Sequence, residues 1–246
     1  PGWEPKKLHL SDKLTLRYVK LGEGPPLVLL HTLRTQLEYF RDLAPLLAKT
    51  YTVYAVDLPG FGYSTIDPSA PLDEPYFRKA VVGFLKSLDL RDVTIAGESI
   101  GAVLALTAAT EVPERIRAVY SLNTYDYDTK FGDGVRRGNW FANVIFAGLQ
   151  IPVFGPVAGA LENRFVLKKI LSGVFLQWRS WPKAREIYSS VKALVTLIYG
   201  DKDWSHIPDR ERTKAACKNA RMFTLPNAGH FSALESPRSI AEIILS

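Results

Sequence analysis

The sequence predicts an α/β fold: a doubly wound, mostly parallel sheet of about eight strands with an inserted helical cap. Three observations support this prediction. Short apolar runs, typical of buried parallel strands, alternate with stretches of helical spacing. One such run passes through a sharp, glycine-flanked turn directly into an Ala/Leu-rich helical run within residues 93–106. A segment without an obvious strand, residues 124–190, then interrupts the alternation.

Composition excludes several other classes of protein. A chain of 246 residues with 47% hydrophobic content is long enough to bury one α/β core. The single cysteine, Cys217, excludes an internal disulfide framework and a cysteine-based zinc site, and we interpret it as an ordinary helix residue. The net charge of +6 comes from scattered basic residues, so a solvated surface is favoured over a nucleic-acid partner. No signal peptide is visible, and we expect a cytoplasmic location, with a membrane surface as the alternative.

The individual elements follow from local periodicity. Residues 9–10 and 14–19 alternate as two short strands around a turn. The remaining strands are apolar and rich in β-branched residues, and they are predicted at residues 27–31, 51–56, 93–96, 116–122, 194–199 and 221–225. Helical spacing is found at residues 36–49, 76–88 and 237–245, in addition to the run after the sharp turn.

Residues 124–190 are predicted to form the helical cap, which divides the core into residues 1–123 and 191–246. The segment holds nine basic and five acidic residues, and its tryptophans are Trp140, Trp178 and Trp181. Residues 141–161 are apolar, but Gln150, Pro152 and Pro156 interrupt them and disfavour a spanning helix. We interpret the segment as an apolar cap over a ligand pocket. Simple packing of the cap on the sheet and shallow membrane contact are the alternatives.

The sharp turn has the sequence Gly97-Glu98-Ser99-Ile100-Gly101, the G-x-S-x-G pattern of a nucleophile elbow. So tight a turn brings together the residues two before and two after the serine, where only glycine-sized side chains fit. It presents the Ser99 hydroxyl above the sheet edge and places the Ile100 N–H at a helix N-terminus, where an oxyanion is favoured. We therefore predict Ser99 as a nucleophile and the Ile100 N–H as an oxyanion donor. For Glu98, a structural hydrogen bond is favoured over tuning of the pocket.

A serine nucleophile needs a base to take its proton and a carboxylate to orient that base. Of the four histidines, His230 lies in a loop between the last predicted strand and the last helix, where a late-chain base is expected. For the acid, Asp203 lies further into the loop after the strand at residues 194–199. It is favoured over Asp201, which we expect to bond local backbone. Two aspartates after the preceding strand stay open as alternatives, Asp126 and Asp128.

Five motifs stand in this order along the chain: the apolar strand ending in His31, the turn at residues 57–64, the elbow, Gly200-Asp201-Lys202-Asp203 and Gly229-His230. With them the chain resembles a cap-bearing α/β-hydrolase fold protein over nearly its full length. The resemblance implies that the serine attacks a carbonyl, the histidine shuttles the proton and water releases the acyl group, with no metal and no organic cofactor. The turn at residues 57–64, with one Pro and two Gly, is assigned a structural role only.

The family's second oxyanion donor follows the third strand, usually in a His-Gly-x sequence that here is His31-Thr32-Leu33. The resemblance assigns this role to the Leu33 N–H. Thr32 departs from the pattern, since a β-branched residue lacks glycine's backbone freedom, and we expect a hole that is shaped differently or that forms with ligand. Arg34 either meets an anionic substrate at the pocket mouth or makes a surface ion pair, the latter being favoured. The predicted pocket residues are Thr32, Arg34, Trp140, Phe141 and Phe231.

These residues favour a serine hydrolase that acts on a small carboxylic ester or thioester. The aromatic cap favours an apolar acyl group. A carbon–carbon bond hydrolase, a lactonase or an aminopeptidase would use the same three residues and stays open. Haloalkane dehalogenases and epoxide hydrolases of the usual kind are disfavoured, because those relatives carry aspartate where this chain has Ser99. A slow-turnover ligand receptor, favoured by Thr32 alone, and a membrane-associated lipid enzyme are further alternatives.

Overall fold

The computed structural model describes residues 3–33, 35–67, 69–70, 73–124, 184–203 and 205–246. Within them eight strands form one sheet with helices on both faces, which confirms the predicted fold class. The strands are β1 (Lys6–Ser11), β2 (Leu14–Leu21), β3 (Pro26–Leu30), β4 (Thr52–Val56), β5 (Val93–Glu98), β6 (Ile116–Leu122), β7 (Leu194–Gly200) and β8 (Ala220–Leu225). The α-helices are α1 (Ala44–Leu47), α2 (Glu74–Ser87), α3 (Ile100–Glu111), α4 (Ala184–Tyr188), α5 (Ile207–Ala216), α6 (Ser232–Glu235) and α7 (Pro237–Leu245).

The strand order β1-β2-β4-β3-β5-β6-β7-β8 positions the site. β1, β2 and β4 pair antiparallel in turn, and all the other neighbours are parallel. The winding direction reverses at β3, because β4 and β5, which follow it along the chain, lie on its opposite sides. Such a reversal opens a crevice at the carboxyl ends of the strands. The residues at this point are His31 to Leu33, after β3, and Ser99, after β5.

Apolar side chains fill both faces of the sheet. On one face α2 and α3 cover the central strands, with the rings of Phe77 and Phe84 buried against Val103. On the other face α1 packs against β4 and against α7, with Leu47 and Ile244 buried. Cys217 is buried at the end of α5, and burial raises the pKa of its thiol to about 12.

The stretch predicted as one helix over residues 36–49 is divided in the structure. A 3₁₀ turn at Leu37–Phe40 is followed by the short helix α1, in which Pro45 occupies the first turn. Proline has no N–H and its ring clashes with the carbonyl four residues earlier, so a continuous helix through this position is unfavourable. α5 and α6 are two helices that the periodicity did not predict.

The turn at residues 57–64 is held by a buried ion pair. Arg17 Nε lies 2.5 Å from Asp57 Oδ2, and the same guanidinium binds both carboxylate oxygens of Glu38. Asp57 also accepts backbone hydrogen bonds from Leu37 and Tyr63. The carboxylate therefore ties the turn to β2 and to the 3₁₀ turn.

Most of the predicted cap lies outside the described residues, and so do Arg34, Trp140, Phe141, Asp126 and Asp128. Of the segment 124–190, the structure describes Thr124 and residues 184–190, where Tyr188 is buried in the same cluster as α3. Across the parts of the chain that the structure describes, no helix has the length and apolarity needed to cross a membrane.

The two glycines of α2 and α3 provide a matched stability test. A methyl group at Gly101 would overlap the backbone oxygen of Leu30, whereas at Gly83 it would approach only the flexible side chain of Leu10. We expect Gly101→Ala to lower the free energy of unfolding by about 1–3 kcal/mol. Gly83→Ala should leave it unchanged or raise it by up to about 1 kcal/mol, because alanine is the better helix former. Urea unfolding of both variants measures the difference. Equal stability of the two would contradict the close approach at Gly101.

Candidate active site

Ser99 lies on a strained turn between β5 and α3. Its backbone has φ 57° and ψ −113°, a conformation that L-residues rarely adopt and that costs on the order of 1–3 kcal/mol. A Cβ at Gly97 would overlap the backbone of Gly101, and one at Gly101 would overlap the Leu30 carbonyl oxygen. The crowding expected from the G-x-S-x-G spacing is therefore present, and it joins α3 to both β5 and β3.

The elbow is anchored to the neighbouring strand. The Ser99 N–H donates to the Leu122 carbonyl oxygen at the end of β6, at 2.9 Å. Ile100 is the first residue of α3, and N–H groups in the first turn of a helix have no intrahelical acceptor. The Ile100 N–H therefore suits an anion beside Ser99.

His230 and Asp203 form a buried pair at the same edge of the sheet. His230 Nδ1 lies 2.6 Å from Asp203 Oδ1, and both side chains are almost entirely shielded from solvent. Burial by itself raises the pKa of Asp203, but hydrogen bonds from His230 and Ser205 outweigh it and hold that pKa below its usual value. An ionised carboxylate only accepts hydrogen bonds, so we assign the proton to Nδ1, which leaves the Nε2 lone pair for another partner.

The second oxygen of Asp203 is held by residues that the sequence did not single out. Asp203 Oδ2 accepts hydrogen bonds from the Ser205 N–H and hydroxyl. Arg210, buried in α5, donates through Nε to the Ser205 hydroxyl at 3.0 Å and through Nη2 to the Ser205 carbonyl oxygen. The Arg210 guanidinium also lies over the Tyr199 ring, 4.9 Å from its centroid. Ser205 and Arg210 thus orient the carboxylate from the side opposite to His230.

The loop after β3 fixes one peptide plane at the switch point. The buried His31 accepts the Leu58 N–H at Nε2, so Nδ1 carries the ring proton and donates to the Thr32 carbonyl oxygen at 2.8 Å. The same oxygen accepts the Thr35 hydroxyl at 2.8 Å and the Thr35 N–H at 3.4 Å. Burial lowers the pKa of His31, which keeps the ring neutral and this arrangement intact. Because a trans peptide is planar, with its C=O and N–H antiparallel, fixing the Thr32 carbonyl also fixes the Leu33 N–H.

The remaining predicted residues have clear positions. Asp201 is exposed, whereas Asp203 is the aspartate that reaches His230. Thr32 is buried, and Phe231 is 40% exposed with its ring 5.6 Å from that of His230. Among the described residues, no group of three or more His, Cys, Asp or Glu side chains is placed to hold a metal ion.

Comparison with known proteins identifies relatives of part of the chain. A family model described as the alpha/beta hydrolase fold matches residues 25–156. The chain is 32% identical over 119 residues to (E)-2-((N-methylformamido)methylene)succinate hydrolase of Acinetobacter baylyi, covering 48% of this chain and 44% of that protein. It is 32% identical over 180 residues to the haloalkane dehalogenase of Psychrobacter cryohalolentis, covering 68% of this chain and 56% of that protein. The chain thus spans about half the length of these two curated relatives.

A solved structure extends the likeness to the full chain. A hydrolase from Pseudomonas aeruginosa superposes with a TM-score of 0.76 at 23% identity, covering 100% of this chain and 98% of that one. At this identity the superposition carries information on the fold alone.

Proposed function

We propose that this chain, which belongs to the alpha/beta hydrolase fold family, is a serine hydrolase that cleaves carboxylic esters or thioesters with an apolar acyl group. The main support is the combination of two features at one edge of the sheet. Ser99 is held on a strained turn between two glycines, and a buried aspartate orients His230 through a 2.6 Å hydrogen bond. A strained serine at the same sheet edge as an oriented imidazole suits nucleophilic attack on a carbonyl carbon.

In the proposed reaction, His230 Nε2 takes the Ser99 proton as Oγ attacks the carbonyl carbon. The negative charge on the substrate oxygen is stabilised by the N–H groups of Leu33 and Ile100. His230 then gives its proton to the leaving alcohol or thiol, and an acyl-enzyme remains. A water molecule, deprotonated by His230, attacks this intermediate. His230 then returns that proton to Ser99 Oγ as the bond to the acyl group breaks and the acid is released, while the ionised Asp203 stabilises the imidazolium in both halves.

The hydrogen bonds to the Thr32 carbonyl support Leu33 as the second oxyanion donor. The family's usual glycine at this position allows the loop to adopt its shape, whereas here three donors from His31 and Thr35 hold the peptide plane. A donor fixed before substrate binds needs no reorganisation during the reaction. This favours an enzyme over a slow-turnover receptor, for which Thr32 was the one supporting feature.

The apolar acyl preference is supported by Phe231, whose partly exposed ring lies edge-on to His230 and near Tyr39. The dehalogenase reaction named for one relative is disfavoured, because the family's usual dehalogenases carry an aspartate where this chain has Ser99. A carbon–carbon bond hydrolase on the same residues remains the second candidate. Product analysis after incubation with an ester and, separately, with a β-diketone distinguishes the ester hydrolase from the carbon–carbon bond hydrolase.

A fluorophosphonate probe tests the proposed nucleophile. We expect one covalent adduct on Ser99 in the wild-type protein, because the probe reacts with an activated serine. The adduct should be absent in Ser99→Ala and strongly reduced in His230→Ala and Asp203→Asn, while Asp201→Asn, at the exposed aspartate of the same loop, should react like the wild type. Intact-protein and peptide mass spectrometry measure the adduct. A folded wild-type protein without an adduct would contradict the proposed function.

Thr35→Val tests the role of the Thr32 peptide plane. The variant keeps the shape of the side chain but removes the hydroxyl donor to the Thr32 oxygen. A neutral hydrogen bond contributes about 0.5–1.5 kcal/mol, so we expect kcat for p-nitrophenyl butyrate to fall roughly threefold to tenfold with little change in KM. Thr65→Val is the control, because it removes an exposed hydroxyl that donates to the Lys13 carbonyl oxygen and accepts the Thr15 N–H at the start of β2. Equal kcat values for both variants would argue against a fixed Leu33 donor.

A further inference from the structure

The side chain of Glu98, next to Ser99, has no part in the mechanism described above. Its carboxyl group is completely buried and lies behind the elbow. Oε1 accepts hydrogen bonds from the Ser232 N–H and hydroxyl, both at 2.7 Å, and from Asn123 Nδ2 at 2.8 Å. Oε2 accepts the Tyr39 hydroxyl at 2.5 Å and the Ala233 N–H at 3.3 Å. One carboxyl group therefore binds donors from three separate segments of the chain.

Two of these contacts attach the elbow to the histidine loop. Ser232 and Ala233 begin α6, directly after His230 and Phe231. The carboxyl of the residue before Ser99 thus binds the backbone N–H groups two and three residues after the candidate base. A change in the position of Glu98 would move Ser99 and His230 relative to one another.

Asn123 extends the connection to the acid. It follows β6 in a left-handed conformation, φ 46°, and its Oδ1 accepts the N–H of Gly200 at 2.9 Å. Gly200 ends β7 and begins the loop that carries Asp203. Asn123 Nδ2 also donates towards the His230 carbonyl oxygen at 3.0 Å, besides its contact with Glu98. One amide side chain therefore contacts the segments of the candidate acid, base and nucleophile.

We infer that Glu98 and Asn123 are positioning residues that hold the loops of Ser99, Asp203 and His230 in register for catalysis. This inference rests on the proposed function. Burying a carboxyl group in a sheet core is unfavourable unless its hydrogen bonds are made, and an apolar side chain would fill the same space at lower cost. The buried polar pair of Glu98 and Asn123 instead serves to place the catalytic groups accurately. A misplacement of about 1 Å in a catalytic group lowers the rate on the order of 10²-fold.

The electrostatics agree with this geometry. Burial raises the pKa of the Glu98 carboxyl, and the hydrogen bonds from Ser232, Tyr39 and Asn123 oppose the rise. The donors that favour the ionised carboxylate are thus the same groups that connect the elbow to the histidine loop and to Asn123.

Two substitutions at Glu98 separate positioning from simple packing. Glu98→Gln keeps a carbonyl oxygen for Ser232 and Asn123 and presents its amide to the Tyr39 hydroxyl, which accepts as well as donates. Glu98→Ala loses every contact. We expect kcat for p-nitrophenyl butyrate to fall on the order of 10²-fold in Glu98→Ala and less than about tenfold in Glu98→Gln, with KM nearly unchanged in both. Glu74→Gln, at a buried carboxyl group of α2 beside Arg78, is the control and should keep the wild-type kcat.

Asn123→Gly provides a second variant in case Glu98→Ala does not fold. Glycine accepts the left-handed backbone at this position, so the substitution removes the side chain without adding strain. We expect a fall in kcat comparable to that of Glu98→Ala. A wild-type kcat in folded Glu98→Ala or Asn123→Gly would overturn the inference.

A second measurement does not depend on turnover. In protein with ¹⁵N-labelled histidine, the proton between His230 Nδ1 and Asp203 Oδ1 should give a far-downfield resonance. We expect it to shift or disappear in Glu98→Ala and Asn123→Gly and to stay in place in Glu74→Gln. A shift in a protein that hydrolyses no ester and binds no probe would support the positioning inference while the proposed function fails. Absence of the resonance in the wild type, or an unchanged one in both variants, would overturn the inference itself.

Discussion

The close approach of β3, β5 and α3 at Gly97 and Gly101 is the constraint on which the candidate site depends. Side chains at these two positions would overlap backbone atoms, which no change of rotamer relieves. The same approach accounts for the conformation of Ser99, since a turn that brings its flanking residues into contact leaves few backbone angles open. Strain of this kind persists only when the surrounding packing fixes it, and β5 and α3 are buried along nearly all their length.

Around this contact, buried polar groups replace the backbone hydrogen bonds that the strands lose where they end. His31 closes the loop after β3, Asp57 the turn after β4, and Asn123 the end of β6. Each is fully buried, and each has several hydrogen-bond partners. Loops supported in this way carry side chains at defined positions without regular secondary structure. A site that must hold a nucleophile, a base and two N–H donors in register needs such support.

The sequence predicted those parts of the molecule whose signal lies within one short stretch of consecutive residues. Apolar runs of four to seven residues marked the parallel strands. The spacing of Gly97 and Gly101 around Ser99 marked the elbow, because the steric requirement for two small residues there depends on spacing alone. Helical apolar spacing predicts one helix over residues 36–49, but Pro45 in the first turn of α1 prevents a continuous helix. α5 gave no apolar periodicity, since its surface is charged and its buried residues include Asp209 and Arg210.

The contacts behind the site had no local signal in the sequence. Glu98 is separated from Ser232 by 134 positions and Asn123 from Gly200 by 77, so only the folded sheet brings them together. The three donors on the Thr32 oxygen come from a turn whose hydrogen bonds the sequence pattern did not reveal. Thr32 departs from the family pattern in sequence, whereas in the structure side-chain hydrogen bonds from His31 and Thr35 take the place of glycine's backbone freedom.

The most direct measurement of the central claim is a crystal structure of the protein after reaction with an alkyl fluorophosphonate. The account predicts phosphorus bonded to Ser99 Oγ, with one phosphonyl oxygen accepting hydrogen bonds from the Leu33 and Ile100 N–H groups. It also predicts His230 Nε2 facing Ser99 Oγ, with the Nδ1 bond to Asp203 retained. A phosphonyl oxygen directed away from both N–H groups, or a modified residue other than Ser99, would contradict the account.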